Sequence, residues 1–446
     1  MRESIRQRQE GNSEVRQLAE ARARTDALFR IIDPRALYDR PIPERHRIIF
    51  YLGHLEAFEW NLIGKGAFQR EPVHEGFDRL FAFGIDPVDG KLPTDQPQDW
   101  PRHAEVLDYC GRVRRTLDAC LEEYVDAVKA PKNSIDELAS GTLIQVAIEH
   151  RLMHAETLAY LLHQLPHSRK FPQPQRAIAK TSRGALQHMI EVPAGHATLG
   201  QRKGKRFGWD NEFEELTLDV PAFRIDAHKV TNGQFLEFLR AGGYDDRSLW
   251  KPEDWAWKQA QGIEHPISWR RRGDDFVFHA MFEEIGLPSN WPAYVSQAEA
   301  AAYARWTGKS LPTEAQWHRA CYGTLEGTER IYPWGNEEPR ADLGNFDCHR
   351  WDPVPEGAHP AGQSAFGAEG MMGNGWEWTA TVFHPFPGFE RFPFYPGYSA
   401  DFFGGGHYVM KGGSARTAAC LLRRSFRNWF QPHYQYVYAG FRCTAG

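Results

Sequence analysis

The 446-residue sequence contains no run of about 18 apolar residues, so it offers no candidate membrane span. Its first residues, MRESIRQRQEGNSEVRQ, are charged and unlike an export signal, and we expect a cytoplasmic protein. Cysteine is scarce. Cys110, Cys120, Cys321, Cys348, Cys420 and Cys443 are scattered without a CxxC pair, which excludes a zinc ribbon and a disulfide framework and predicts reduced thiols. A net charge of −5 with no cluster of Lys and Arg leaves out the electrostatic footprint of nucleic-acid binding.

What the chain does have is length and aromatic rings. At 446 residues it exceeds the size at which one hydrophobic core stops growing, so two domains are expected. The 15 Trp, 16 Tyr and 28 Phe crowd toward the C-terminal half and suit an irregular fold or a pocket for a cationic ligand. Apolar spacing of three and four predicts helices over residues 15–32, about 45–62 and about 102–128, and a fourth over Ala147–Gln164. Asp33-Pro34 stops the first, and the long connection 64–100 is of a length that is commonly functional. Four such helices form an up-down bundle that can hold a metal on inward side chains.

The last helix carries His150 and His154, four residues apart and therefore on one face. With His54 on the second helix they make a candidate three-imidazole metal site, although polar residues satisfied inside a bundle give the same pattern. Glu156 lies off that face and reads as an outer partner or a surface charge. Pro166 ends the helical part. We read residues 1–166 as the bundle, 167–185 as a linker, and 186–446 as a second, irregular α+β domain with strand-like runs MIEVPAGHATLG and ELTLDVPAFRID. Its clearest helical stretch, SQAEAAAYARWTGKSLPTEAQWHRACY, is interrupted at Lys309–Pro312.

Seven motifs follow in order: HKVTNGQFLEF (228–238), SLPTEAQWHRAC (310–321), YPWGN (332–336), GMMGNGWEWT (370–379), MKGGS (410–414), RRSFRN (423–428) and AGFRC (439–443). Together they resemble the formylglycine-generating-enzyme, or sulfatase-modifying-factor, fold, which is C-type-lectin-like. The first domain resembles the DinB-type four-helix bundle. Bundle plus sulfatase-modifying fold is similar to the sulfoxide synthases of ergothioneine and ovothiol biosynthesis. That resemblance implies an iron(II) oxidoreductase that uses O2 to join a sulfur donor to the imidazole of a histidine derivative, with His54, His150 and His154 as the metal ligands near the junction of the domains. Neutral imidazoles that leave coordination positions open suit iron better than a structural zinc.

Departures from the family bear on the substrates. SARTAACLLRRSFRN holds Cys420 alone, where a formylglycine-generating enzyme proper has a copper-binding cysteine pair. Synthases using γ-glutamylcysteine carry an Asp and, four residues later, an Arg after FRNW; here those positions are Phe430 and Tyr434, which cannot grip a doubly charged peptide. HRLMH replaces the HEQQH pattern, and the following AETLAYLLHQLP is most similar to the selenoneine synthase branch, whose substrates are hercynine and a neutral selenosugar. The resemblance gives Tyr395 and Tyr398 as candidate proton or electron donors in oxygen activation. Trp429, Phe430 and Trp376 are candidate faces for the trimethylammonium of hercynine, and Arg427 and Asn428 candidate contacts to a carboxylate or sugar hydroxyls; Tyr434 joins Phe430 in the donor site. Each has a packing alternative, and Trp376 and Trp378 sit within the fold's own motif. The readings left open are an ergothioneine-type synthase using cysteine or γ-glutamylcysteine, a metal-free binding module, and a zinc-dependent thiol transferase of the DinB type.

Overall fold

Spacing of apolar residues decides the first unit. In the computed structural model, which describes residues 2–82, 84, 92–126, 141–174, 188–204 and 206–446, its helices are α1 (Arg2–Arg30), α2 (Ile48–Glu59), α3 (Glu75–Leu80), α4 (His103–Asp126) and α5 (Thr142–His163). Four long helices match the expected bundle. The short α3 falls in the stretch expected as a loop, of which residues 83 and 85–91 lie outside the described ones, as do 127 and 128 of the third helical pattern. No described helix is long and apolar enough to cross a membrane.

Helix α2 runs into a π-helical stretch, Trp60–Ala67, where Gly64 lets the Trp60 ring close in; a Cβ at Gly64 would lie 2.2 Å from that ring. Asp33, at the predicted stop of α1, caps a 3₁₀ turn by accepting from the Arg35 amide. The chain forms two compact units, Met1–Gln173 and Pro174–Gly446. Residues 167–173, expected within the linker, pack with the first unit instead: the Asp33 amide donates to the Arg169 carbonyl and the Phe171 amide to the Ile31 carbonyl. Residues 175–187 of that expected linker lie outside the described residues.

Between the helices of the first unit runs a buried ionic network. Arg151 of α5 pairs with Glu56 (3.0 Å) and Glu59 of α2, and Arg22 of α1 reaches Glu59 at 2.7 Å and Asp118 at 2.5 Å. Arg114 of α4 spans Glu56 at 2.6 Å and Asp26 at 2.7 Å. Guanidinium forks suit this work, because each can hold two carboxylates at once.

The second unit is α+β with small sheets. They are ordered β1-β4-β12, β10-β9-β8-β11, β2-β3 and β5-β6-β7, from β1 (Met189–Val192), β2 (Gly195–Leu199), β3 (Leu216–Val220), β4 (Phe223–Asp226), β5 (Trp269–Arg272), β6 (Asp275–His279), β7 (Glu284–Gly286), β8 (Trp376–Val382), β9 (Tyr408–Lys411), β10 (Asn428–Phe430), β11 (Ala439–Gly440) and β12 (Thr444–Ala445). Helices α6 (Asn232–Arg240), α7 (Pro252–Gln261), α8 (Gln297–Trp306) and α9 (Glu314–Tyr322) pack around them. Ser296 with Glu299 and Thr313 with Gln316 form capping boxes that start α8 and α9 on either side of the predicted interruption. The core gathers Trp317, Tyr322, Phe346, Met371, Ile225 and their neighbours.

The ordered motifs meet in space. Glu377 of GNGWEW accepts from Arg442 of AGFRC at 2.6 and 2.9 Å, from the Trp317 indole at 3.0 Å, and lies 3.4 Å from the Lys229 ammonium of HKVTN. Glu314 pairs with Arg427 at 3.1 Å. Gly412 of MKGGS has φ +97°, and a Cβ there would meet the Met371 carbonyl at 2.6 Å, so only glycine fits. The motif string is thus largely a set of buried partners.

Burial alone would raise the Glu377 carboxyl, but Arg442 and Lys229 outweigh it and hold it below its ordinary value. In acid the unfolded chain therefore binds the proton that the folded unit refuses. The contribution is complete above about pH 4.5 and is lost as pH falls further. Glu377→Gln should flatten the acid limb of the second unit's unfolding, read as urea midpoints between about pH 3 and 6; an unchanged acid limb would count against it.

Candidate metal centre

His150 and His154 sit one turn apart on α5, a helix buried along nearly its whole length, and His54 faces them from α2. The three are 4–6% exposed, and one nitrogen of each lies within 4.8 Å of the others. His54 Nε2 is 3.3 Å from His154 Nε2. Two nitrogens about 2.0–2.1 Å from one metal lie about 2.9–3.4 Å apart for bond angles between a right angle and a tetrahedral one, so this pair has ligand spacing.

The surroundings fix the tautomer. His54 Nδ1 donates to the Phe81 carbonyl at 2.7 Å, which leaves the Nε2 lone pair directed at the other imidazoles. His154 Nδ1 is buried without a hydrogen-bond partner. Phe58 stacks on His150 with ring centroids 3.4 Å apart, and Phe50 stacks on His54 at 4.9 Å. Burial pushes the His54 pKa down to about 4 against the pull of the Phe81 carbonyl, and burial, then mutual repulsion, pushes His150 and His154 well below the ordinary value. All three are neutral at pH 7, the form that binds a metal. The donor set fits a divalent transition metal with open positions, iron(II) included. Glu156 is buried, not a surface charge.

In the second unit the structure brings some candidates together and separates others. Tyr398 stacks on Trp209 at 3.9 Å, Tyr395 lies 5.6 Å from Tyr398, and Trp429 meets the Tyr398 ring edge at 5.5 Å. Trp429 also stacks on Phe383 at 4.2 Å. Side chains alternate along β10, so Phe430 points away from Trp429 and stacks on Tyr434 at 5.0 Å, brought round by the turn from Gln431 to Tyr434. The two positions that would carry the peptide-gripping charges therefore form one aromatic pair.

Two candidates, Arg427 and Trp376, are corrected. Arg427 is 2% exposed, with its guanidinium held by Glu314 and the His384 carbonyl and lying 4.2 Å from the Phe386 ring centroid, so it is a structural tie and not a substrate contact. Trp376 is buried against Phe426 and Trp378 donates to the Val295 carbonyl at 2.9 Å; both belong to the core. Asn428 accepts from the Trp429 amide at 2.9 Å and remains half-buried. Sequence reasoning missed Phe58, Phe81 and Trp209. Phe58 lies four residues after His54 on one helix face and could have been found by spacing; Phe81 acts through its backbone carbonyl, which no residue pattern reveals.

Residues 174–445 match the model of the sulfatase-modifying factor enzyme 1-like domain, and residues 17–158 match the DinB superfamily. The chain is 34% identical over 438 residues to the hercynine oxygenase of Mycobacterium tuberculosis, covering 95% of this chain and 96% of that one. It is 37% identical over 365 residues to the hercynine oxygenase of Mycolicibacterium smegmatis, covering 79% of this chain and 78% of the other. Ergothioneine biosynthesis protein 1 of Neurospora crassa is 27% identical over 493 residues, covering 91% of this chain and 54% of that protein. With both domain models matched in order and full-length identity above 30%, the chain belongs to the hercynine oxygenase family, a DinB-superfamily bundle followed by a sulfatase-modifying factor enzyme 1-like domain.

Proposed function

We propose that this protein is an iron(II)- and O2-dependent oxidoreductase that joins a soft chalcogen donor to the imidazole ring of hercynine. The observation that carries the reading is the set of three buried, neutral imidazoles within 4.8 Å of one another in a chain of this family. His54, His150 and His154 hold the iron, and bound iron(II) supplies one-electron redox chemistry and open positions for O2 and a soft donor. Zinc would offer neither a change of oxidation state nor that reactivity.

The chain's own groups divide the remaining work. The phenols of Tyr395 and Tyr398 are the proton carriers in this reading, and the half-buried Trp429 offers an aromatic face to the fixed positive charge of hercynine. Asn428 supplies a polar contact beside it. Catalysis draws on both units, because the bundle carries the metal ligands and the second unit carries the aromatic and polar groups.

For the donor we infer a neutral selenosugar. The stacked Phe430 and Tyr434 present rings and one hydroxyl where a peptide donor would need a carboxylate and a guanidinium. Two missing charge-assisted contacts, each worth roughly 1.5–3 kcal/mol, weaken use of γ-glutamylcysteine by a factor on the order of 100 or more. A thiol donor is the second reading, favoured by the relative named for ergothioneine biosynthesis. Measuring kcat/KM for selenoglucose, cysteine and γ-glutamylcysteine with hercynine, iron(II) and O2 held constant decides between them. The expected order places selenoglucose first and the peptide last; a clear preference for either thiol would return the chain to thiol chemistry.

A further inference from the structure

The connection from β8 to β9, residues 383–407, carries Tyr395 and Tyr398 and contains no strand. Its amides at Phe389, Tyr395, Tyr398 and Phe402 each donate to the carbonyl three residues earlier, so these backbone bonds shape local turns without anchoring them to the sheet. The exposed pair of Lys203 and Glu390, 2.6 Å apart, adds little rigidity. The tyrosine-bearing part of the loop is held by a turn 189 residues before Ser399 in the chain.

That turn is the 3₁₀ segment Asp210–Glu212, following Trp209. Asp210 is 1% exposed and accepts at Oδ1 from the Ser399 hydroxyl at 2.6 Å, Ser399 itself being fully buried. Its Oδ2 makes no hydrogen bond among the described residues, and burial raises the pKa of the group against the bond from Ser399. Asp210 thus holds the far end of the stretch 392–399 that carries the two tyrosines, and the neighbouring Trp209 ring lies 6.3 Å from Phe392 at its start. Trp209 is also the ring on which Tyr398 stacks at 3.9 Å. The same turn reaches the segment that leads into the strand bearing Trp429: Glu212, fully buried, accepts from Arg423 at 2.5 Å and from the Ser425 hydroxyl at 2.6 Å.

From this arrangement we propose that Asp210 is a positioning residue, which clamps the 392–399 loop so that the phenols of Tyr395 and Tyr398 keep a fixed place beside Trp429. The proposal rests on the role assigned above to the tyrosines. A buried hydrogen bond at Ser399, with the adjacent Trp209 ring packed on Tyr398, restricts the loop more than a surface contact does, and displacement of a reacting group by about 1 Å can cost on the order of 100-fold in rate. Asparagine at 210 keeps the acceptor for Ser399, whereas alanine removes it.

The test uses full-length, iron-loaded variants Asp210→Ala, Asp210→Asn and Ser399→Ala, with hydrogen exchange over residues 389–403 and kcat and KM for hercynine. Asp210→Ala should speed exchange in the loop and lower kcat by about 10- to 100-fold, more than it raises KM. Asp210→Asn should restore both readouts, and Ser399→Ala should reproduce the alanine effect in milder form, which carries the test if Asp210→Ala does not fold. Unchanged exchange in the alanine variants, or an asparagine variant as impaired as alanine, overturns the clamp. Full kcat in Tyr395→Phe and Tyr398→Phe would instead sink the role of the tyrosines, while faster loop exchange in Asp210→Ala would still support the clamp itself.

Discussion

Replacing His150 with alanine is expected to strip the protein of stoichiometric iron and of activity. Losing only an outer partner of a metal ligand costs about 10–100-fold in affinity, so losing the ligand should cost at least about 100-fold. His150 has no substitute nearby, because the metal-capable group among the described residues is His54, His150 and His154 alone. The two remaining nitrogens, His54 Nε2 and His154 Nε2 at 3.3 Å, can still chelate weakly. Elemental analysis after desalting, with circular dichroism to confirm the fold, reads the effect, and iron retained at one per chain would refute the assignment.

The second large effect is expected at a residue that touches no metal. Arg151→Met should destabilise the bundle by about 3 kcal/mol, the lower end of what breaking a buried ion pair costs. Arg151 is 1% exposed and pairs with Glu56 and Glu59, also buried. In the network of Arg22, Arg114 and Arg151 with Asp26, Glu56, Glu59 and Asp118, three positive charges face four negative ones, a formal −1 that becomes −2 without Arg151. The lower figure applies because Arg22 and Arg114 still reach the two glutamates. Arg151 also ties α5 to α2, the two helices that present the triad, so iron affinity should fall with stability. By contrast Asp118→Asn, at a side chain 55% exposed, should cost less than about 1 kcal/mol. Urea unfolding of both variants checks the contrast, and equal effects would mean the network is energetically idle.

The juxtaposition of His150 and His154 was legible because a helix repeats every 3.6 residues, which makes HxxxH a statement about geometry as well as composition. The order of the seven motifs likewise fixed the second fold, and the structure shows why: Glu377, Arg442 and Lys229 come from three motifs and meet in one buried cluster. Charges misled the reading for the same reason. Arg427 reads as a ligand contact in isolation but is held by Glu314, and the buried pairing of Arg151 with Glu56 and Glu59 has no counterpart in the sequence reading. Helix α3 has six residues, too few to show a period, yet it leads into Phe81, whose carbonyl orients His54. The turn at Asp210–Glu212 left no local signal because its partners lie about 190 to 210 residues away in sequence.

The most direct measurement asks whether O2 is consumed together with hercynine when iron(II) is bound. Metal-free full-length protein, reloaded in parallel with iron(II) or zinc, is incubated with hercynine and selenoglucose while O2 uptake and product mass are followed. The account predicts O2 uptake and a hercynine product carrying the selenosugar with iron(II), and neither with zinc. Equal product with zinc, or product formed without O2, would contradict it.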